Sequence, residues 1–464
     1  MTHHRPFAVA AMTVALAALS LPAAAEPSVF PTGVTRYDPA KAWPTYVIFA
    51  APDQKTHLID MDGREVRRWD YQGFPSQLLD PALTGGARGH VLVQLAAGAG
   101  AGTGEVPGAA IFDNKEIGEL DWDGKVVWRW GEGAPGGAAR QHHDWRREAN
   151  GDNLVLANLS HPIDGFAQPK VLDDVIYEVT PTGGVAWRWV ASEHLDEFGF
   201  TPDQLKLVKA SASPDYLHIN NMSIVGPNKW FDAGDTRFAP DNIIVDSRNA
   251  NFIVIIDHRT GAVVWRLGPN FEVKPKRPEA GQAGAKPMLP RPVDQISGQH
   301  DAHIIPEGLP GAGDLLVFDN QGEGGYPPVA LGVNTGSRVL EIDPVNQQIV
   351  WSYSAEDSNA AAWTFQSSFI SSARRLPNGN TLIDEGINGR VFQVTPGGEI
   401  VWEYVSPYFA RTTVGGGAGQ LVNSNWVYRA TPVPYGWVPD GAPHGETAVI
   451  PPDVAAFRVS GARP

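Results

Sequence analysis

A short pattern recurs six times along this chain, and it constrains the fold more than any other feature of the sequence. Each copy has a strand-like run, a turn containing Gly or Pro, two mostly apolar residues, a landmark that is usually Trp, a polar residue and usually an aromatic. The landmarks are Arg67, Trp128, Trp187, Trp265, Trp351 and Trp402. They lie about 67 residues apart on average, against ~40–50 residues in compact blade repeats, so long loops are expected between the strands.

The repeat predicts antiparallel hairpins. Its turns have the forms D-x-D-G, P-T-G-G and P-G-G, which are hairpin signals between alternating or apolar strands. A second strand pair precedes each hairpin, most plainly around the turn Pro377-Asn378-Gly379. Four antiparallel strands in each of six units, without a strong helical period, predict an all-β fold, a six-bladed β-propeller. The repeated Trp residues are interpreted as packing between blades.

The two ends of the chain differ from the repeat region. Residues 1–25 are predicted to be a signal peptide, with an apolar stretch followed by the cleavage motif Ala23-Ala24-Ala25. An N-terminal extension (26–45), the propeller (46–440) and a C-terminal tail (441–464) then follow. Cleavage near Ala25 predicts a periplasmic or secreted protein, and no later apolar stretch reaches the ~18 residues of a membrane span. Strands from both ends are expected to close the last blade.

Composition excludes several classes of function. The chain has no Cys, so disulfides, thiolate metal sites, iron–sulfur clusters and cysteine nucleophiles are excluded. Its net charge of −15, without a run of like charges, argues against nucleic acid as a partner. The expected partner is a small phenolic or anionic molecule, and a homodimer is left open.

Several histidines occupy similar places before the inner hairpin turns. Aligning four successive units makes His143, His218, His300 and Ser371 equivalent. Because the innermost strands of a propeller begin at the mouth of its central channel, the three histidines are predicted to converge on one axial pocket. His142 is predicted to point away from this pocket, since side chains alternate along a strand. Five other histidines are predicted to lie at the surface: His57, His90, His194, His258 and His444.

Polar residues on adjacent strands complete the candidate site. Arg338 is a candidate catalytic residue beside the three histidines. An Arg near imidazoles suits an anion such as sulfate, because its fork of donors matches tetrahedral oxygens. The candidate substrate-binding residues are Asn220, Arg248, His303, Asn320 and Ser371.

On these residues the chain resembles the bacterial arylsulfotransferase family. The matching motifs lie between residues 110 and 405: Asp215-Tyr-Leu-His218-Ile-Asn-Asn-Met-Ser223, Ile243–Arg248, Gly298-Gln-His300, Phe318-Asp-Asn320, Ser337-Arg338 and Leu376–Asn380. The resemblance implies a periplasmic six-bladed propeller that moves a sulfuryl group from a phenolic sulfate ester to a phenol without a nucleotide donor. It implies a ping-pong mechanism in which a histidine carries the group. His218, His300 and Arg338 match family motif residues, and no cofactor is expected.

The sequence departs from the family pattern at the nucleophile. The resemblance implies a nucleophilic histidine in a late repeat, but only His444 follows Arg338, and Ser371 or a neighbour stands at the expected position. Three interpretations stay open. The first is a sulfotransferase-like enzyme with its nucleophile moved to His143 or His300. The second is a hydrolase, lyase or oxidase with one divalent transition metal on His143, His218 and His300. The third is a non-catalytic, ligand-binding propeller.

Overall fold

A computed structural model describes residues 31–96, 114–270, 296–328, 336–413 and 421–451. The predicted signal peptide and residues 452–464 of the predicted tail lie outside these ranges. Within them the chain forms six sheets of antiparallel strands around a central channel, which confirms the six-bladed, all-β prediction. No helix in the described ranges combines the length and apolar character needed to cross a membrane.

The strands follow one another in a regular order. They are β1 (Gly33–Tyr37), β2 (Tyr46–Ala51), β3 (Lys55–Ile59), β4 (Glu65–Trp69), β5 (Gln77–Leu78), β6 (Val91–Ala96), β7 (Glu116–Leu120), β8 (Val126–Trp130), β9 (Gln141–Arg147), β10 (Asn153–His161), β11 (Val171–Val179), β12 (Val185–Val190), β13 (Ile219–Ile224), β14 (Ile243–Ser247), β15 (Phe252–Ile256), β16 (Val263–Leu267), β17 (His300–Ile304), β18 (Leu315–Asp319), β19 (Arg338–Asp343), β20 (Gln348–Tyr353), β21 (Ser372–Arg375), β22 (Thr381–Glu385), β23 (Arg390–Val394), β24 (Ile400–Val405), β25 (Ala410–Thr413), β26 (Leu421–Ser424) and β27 (Ala430–Val433).

Each blade is one sheet whose first strand lies against the channel. From the channel outward, the blades are β27-β2-β3-β4 (blade 1), β5-β6-β7-β8 (blade 2), β9-β10-β11-β12 (blade 3), β13-β14-β15-β16 (blade 4), β17-β18-β19-β20 (blade 5) and β21-β22-β23-β24-β1 (blade 6). Strands β25 and β26 form a separate hairpin.

Helical structure is confined to the connections. The α-helices are α1 (Pro202–Lys209) and α2 (Lys229–Asp232). Short 3₁₀ turns lie at Pro81–Thr84, Pro135–Gly137, Ala191–His194, Thr236–Phe238, Ala355–Ser358, Ala362–Thr364, Gly386–Asn388 and Tyr435–Trp437.

The turn glycines of the repeat are required by the backbone. Gly124, Gly183 and Gly398 have φ values of +87°, +86° and +85° in the corresponding turns of blades 2, 3 and 6. Only glycine adopts this left-handed conformation without steric cost, which explains why the repeat has Gly there.

The repeated tryptophans join each blade to the next. Indole Nε1 groups donate to turn carbonyls of the following blade: Trp69 to Asp121, Trp130 to Gly183, Trp189 to Gly261, Trp265 to Pro344, Trp351 to Pro396, and Trp402 to Met61, at 2.7–3.3 Å. In blades 1 to 3 these donors are the aromatic residues two positions after the landmark, and in blades 4 to 6 they are the landmark Trp residues. In blade 2 the landmark Trp128 donates as well, to the carbonyl of Pro181 at 3.1 Å. The predicted packing between blades is confirmed, and these bonds pass once around the ring.

Both ends of the described chain close the ring. Strand β27 from the C-terminal region pairs with β2 and becomes the innermost strand of blade 1. Strand β1 pairs with β24 as a fifth strand of blade 6, and Tyr37 of β1 exchanges backbone hydrogen bonds with Val449. Apolar clusters between adjacent blades form the core, as with Ile176 of blade 3 and Ile219 and Val245 of blade 4.

Candidate functional site

The channel-facing positions can be aligned by a hydrogen bond that recurs between blades. The backbone N–H groups of Met222, Ala302 and Ala373 each donate to an aspartate of the preceding blade, at 3.0–3.2 Å. Two residues before these three positions lie Asn220, His300 and Ser371. Blade 3 has the same register. Trp145 pairs with Val155, the third residue of β10, and Met222 pairs with Val245, the third residue of β14, so Trp145 corresponds to Met222. His143, Asn220, His300 and Ser371 are therefore equivalent, and the prediction that placed His218 in this set is wrong.

His218 nevertheless reaches the pocket. Its ring lies edge-on to that of His143, with 4.6 Å between centroids and 71° between planes. Both residues have left-handed backbones, with φ of +55° at His143 and +52° at His218. A positive φ is uncommon outside glycine and is found where surrounding contacts hold the chain. This backbone bend places the two imidazoles together although they lie out of register.

Asp215 orients His218. Its Oδ2 lies 2.5 Å from Nδ1 of the imidazole. Burial opposes ionisation of Asp215, but His218, with help from His142 and Arg248, outweighs it and lowers the pKa of this carboxyl. An ionised Asp215 accepts the Nδ1 proton of His218, so the lone pair of the neutral ring is on Nε2. The His218 side chain retains 15% exposure, whereas His143 and His300 are buried.

A second histidine–aspartate pair supports His143. Nδ1 of His142 lies 2.8 Å from Nδ1 of His143, and Nε2 of His142 lies 3.3 Å from Oδ1 of Asp174. The prediction that His142 points away from the pocket is wrong, because the pairing of β9 with β10 is interrupted by a bulge between Val155 and Ala157. A bulge breaks the alternation of side chains and can turn a neighbour toward the same site.

Burial and positive charge keep His143 neutral. Burial is the largest cause that lowers the pKa of His143 well below its usual value, and His218, His142, His300 and Arg429 act in the same direction. A neutral imidazole can accept a proton from a bound hydroxyl group.

His300 is held by the protein at both ring nitrogens. Its Nδ1 lies 2.8 Å from Oδ1 of Asn320, and its Nε2 accepts the backbone N–H of Ile370 at 3.0 Å. The side-chain amide of Asn320 donates in turn to the carbonyls of Ser367 and Ile370. Burial, followed by the charge of Arg248, lowers the pKa of His300 well below its usual value. His300 thus fixes the loop before β21, and its lone pair is already engaged.

The two predicted arginines have different surroundings. Burial lowers the pKa of Arg248, and its charge acts on both Asp215 and His300. Its guanidinium donates to Oδ1 of Asn249 at 3.0 Å. Arg338 donates through Nε to the buried Asp319 at 2.6 Å. Asp319 also accepts the backbone N–H of Ser297, just before the loop that carries His300.

The remaining predicted residues lie in the walls of the channel. The amide of Asn220 donates to the carbonyl of Gln299, which joins blades 4 and 5. The hydroxyl of Ser371 donates to Ser367 and accepts the N–H of Gly386. His303 is buried and its Nδ1 lies 2.8 Å from the carbonyl oxygen of Asp301. None of these four contacts involves His143 or His218.

A charged network fills the channel beside the histidines. Arg429 donates to Asp144 at 2.7 Å and to Asn221 at 3.3 Å, and its Nε lies 3.2 Å from Asp301. Arg374 also donates to Asp301, and burial lowers the pKa of Arg374 to about 10. One buried arginine from blade 1 therefore contacts blades 3, 4 and 5.

Asp384, on β22, is a buried carboxyl without a hydrogen-bond partner among the described residues. Burial, followed by the charges of Asp301 and Glu385, raises its pKa well above the usual value. A carboxyl with a raised folded pKa favours folding at acid pH, and that stability is lost as pH rises through the folded pKa. Asp384→Asn should therefore gain stability relative to the parent, by about 1–2 kcal/mol, between about pH 5 and about pH 8. Urea unfolding at both values tests this, and a pH-independent difference would contradict it.

His57, predicted to lie at the surface, is fully buried. Its ring nitrogens contact Asp53 and Glu65, and the ring stacks on Tyr408 at 3.6 Å. The two carboxylates flanking His57 in sequence were the signal that could have identified this structural cluster.

The three-histidine metal alternative lacks an assembled set of ligands. In the five described ranges, no three side chains of His, Asp or Glu are grouped so that they could hold a metal ion. His300 explains this locally, because its Nε2 accepts a backbone N–H.

Two solved structures are distantly similar to this chain over most of its length. A protein of unknown function from Bacteroides caccae is 13% identical, with a TM-score of 0.43, over 84% of this chain and 99% of that one. A catalytically inactive virginiamycin B lyase from Staphylococcus aureus, solved with quinupristin, is 10% identical over 81% and 88%, with a TM-score of 0.34. These likenesses are too distant to bear on function, and no curated protein matches the sequence. A sequence model of the arylsulfotransferase (ASST) family matches residues 53–401, from the β2–β3 turn to β24, and the chain therefore belongs to the arylsulfotransferase family.

Proposed function

We propose that this protein transfers a sulfuryl group from a phenolic sulfate ester to a phenol acceptor, without a nucleotide donor, and that His218 carries the group. Family membership supports the reaction class. We choose His218 as the nucleophile because of its contact with Asp215. This contact sets the tautomer of the imidazole and holds the ring beside that of His143. A base-oriented imidazole is a competent covalent nucleophile near neutral pH.

In the first half-reaction, Nε2 of His218 attacks the sulfur of the donor. The N–S bond forms, the S–O bond to the aryl group breaks, and the phenolate leaves with the bonding electron pair. The donor carries one negative charge and so does the departing phenolate, which leaves the sulfated imidazole with no net charge. Asp215 stabilises this form by accepting the Nδ1 proton. Sulfuryl transfer resembles phosphoryl transfer, in which positioning and electrostatic stabilisation supply most of the rate enhancement.

In the second half-reaction, neutral His143 accepts the proton of the phenol acceptor. The acceptor oxygen attacks sulfur, the N–S bond breaks, and His218 regains its lone pair. The proton taken up by His143 then passes to the phenolate released in the first half-reaction or to water, which returns His143 to its neutral form. Asp174 and His142 hold His143 for this transfer through the contacts at 3.3 and 2.8 Å.

Arg248 is assigned to the sulfuryl oxygens. The support for this role is that the charge of Arg248 acts on both Asp215 and His300, and that a guanidinium matches the oxygens of a sulfuryl group. No cofactor enters this scheme. With residues 1–25 as an export signal, the reaction would take place in the periplasm or outside the cell, which N-terminal sequencing of the fractionated protein tests.

The experiment uses the purified mature chain with 4-nitrophenyl sulfate and phenol. Release of nitrophenolate that depends on phenol, with formation of phenyl sulfate, supports the proposal. A brief reaction without acceptor should add the mass of one sulfuryl group to the peptide containing His218. Loss of activity with a chelator, or label on another residue, would overturn the assignment of His218 as a metal-independent nucleophile.

Asp215→Asn provides a test of the orienting role. The amide oxygen can still accept a hydrogen bond from Nδ1, but it has no charge to balance a cationic ring, so kcat should fall by about 10²-fold. The matched control is Glu197→Gln, which removes the carboxylate that contacts His194 at 2.9 Å on the rim of blade 3. Steady-state kinetics with 4-nitrophenyl sulfate should show no change for the control. Equal losses in both variants would contradict the role of Asp215.

A further inference from the structure

The segment that closes the ring also reaches into the active pocket. The hydroxyl of Tyr428 lies 3.0 Å from the carbonyl oxygen of His143 and 2.9 Å from that of Asn220. Tyr428 is 1% exposed, and its ring stacks on Phe74 of blade 2 with 3.9 Å between centroids. A single side chain from blade 1 therefore contacts blades 2, 3 and 4 beside the histidine cluster.

The carbonyl that Tyr428 contacts belongs to a residue in an unfavourable backbone conformation. His143 has a φ of +55°, which orients its ring toward His218. Such a conformation costs of order 1–3 kcal/mol and persists only where neighbouring groups hold it. The Tyr428 hydroxyl bonds this peptide unit directly, and the rings of Tyr428 and Phe74 lie 5.7 and 5.0 Å from the imidazole.

The backbone around Tyr428 is itself fixed from the opposite side. Its carbonyl accepts the N–H of Ser371, and Val427 donates its N–H to Gly386, both in blade 6. Arg429 then forms the ion pairs with Asp144 and Asp301. We call residues 425–433 the closing segment. The backbone contacts of this segment hold Tyr428 in its position.

We infer that Tyr428 is a positioning residue for His143, so that a complete pocket forms only when the closing segment has docked. This inference rests on the proposed function for its kinetic consequence, because it assigns to Tyr428 the task of holding the proton-accepting imidazole. Tyr428 makes no contact with the reacting atoms. Its hydroxyl holds the peptide carbonyl of His143, and its ring forms one wall beside the imidazole.

The test is Tyr428→Phe, which keeps the stack on Phe74 and removes only the hydroxyl. The matched control is Tyr353→Phe in β20. Tyr353 is also buried, and its hydroxyl lies 2.9 Å from that of Ser358, so the substitution removes one hydrogen bond outside the channel. We expect Tyr428→Phe to lower kcat about tenfold with KM nearly unchanged, because the imidazole is misplaced while the substrate still binds. The control should keep the kcat of the parent, and thermal unfolding should be similar in the two variants.

A second readout does not need catalysis. Histidine-labelled protein gives an imidazole NMR signal for His143, identified by its loss in His143→Gln. We expect Tyr428→Phe to shift this signal and its titration, and Tyr353→Phe to leave both in place. An unchanged His143 signal, or equal kinetic losses in the two variants, would overturn the inference. A parent chain without activity on any aryl sulfate would overturn the proposed function, while the NMR comparison would still decide the role of Tyr428.

Discussion

His218→Gln is expected to lower kcat for sulfuryl transfer by on the order of 10³-fold or more, because it removes the nitrogen that we propose as the nucleophile toward sulfur. Glutamine is similar in length and can still donate to Asp215, so the hydrogen bond that anchors the side chain has a replacement. KM for the donor should change little, since the proposed contact of Arg248 with the sulfate does not depend on the imidazole. Single-turnover release of nitrophenolate measures the effect directly.

The control for this substitution is His194→Gln. His194 also pairs with a carboxylate, Glu197, but lies on the outside of the ring, where it stacks on Trp189. It should retain the activity of the parent, and the sulfated peptide should be present in the control and absent from His218→Gln. Residual activity above about a tenth of the parent in His218→Gln would show that another group carries the sulfuryl, with His143 the first candidate.

Arg429→Met is expected to lower the free energy of unfolding by about 3 kcal/mol, because two buried carboxylates lose the cation that they share. Each carboxylate keeps one further arginine, Arg146 for Asp144 and Arg374 for Asp301. Asp144 and Asp301 are both fully buried, and Arg429 is their shared partner across the channel. Methionine keeps most of the side-chain volume, so the loss is one of charge compensation and not of packing. Urea unfolding monitored by Trp fluorescence provides the measurement.

The matched control is Arg129→Met, since Arg129 pairs with Glu116 at 3.4 Å but is 62% exposed. Exposed ion pairs contribute about 0–1 kcal/mol, so this variant should unfold close to the parent. Adding Asp144→Asn to Arg429→Met should restore part of the stability, because it removes one of the two buried carboxylates that have lost Arg429. Similar stability for Arg429→Met and Arg129→Met would contradict the role assigned to the buried network.

The architecture could be predicted from the sequence because local and global signals agree. Turn glycines, alternating strands and the repeated Trp recur at the same positions of each repeat. In the structure the glycines form the hairpin turns, the strands form the blades, and the Trp side chains join neighbouring blades. The closing strand was harder to place, because β27 resembles no other inner strand and its partner β2 lies almost the full chain length away.

The site could be predicted only in part. Sequence spacing identified His143, His218 and His300, but it could not indicate that a positive φ brings His218 to His143, or that Ile370 occupies the lone pair of His300. His142 was predicted to point away from the pocket because side chains alternate along a regular strand, and the sequence does not show the bulge that interrupts this alternation. Tyr428 and Arg429 carry no motif, and only the closure of the ring brings them to the pocket.

The circle of indole hydrogen bonds also fixes the number of blades. Each bond has its donor in one blade and its acceptor in the next, and Trp402 completes the set at Met61 of blade 1. In an open repeat array, a unit can be added or lost at an end with little effect on the others. Here there is no end: removing one unit would change the angle between every neighbouring pair. Loop length and channel chemistry can therefore change in this protein without disturbing the ring, whereas the number of blades can change only together with the angle between all of them.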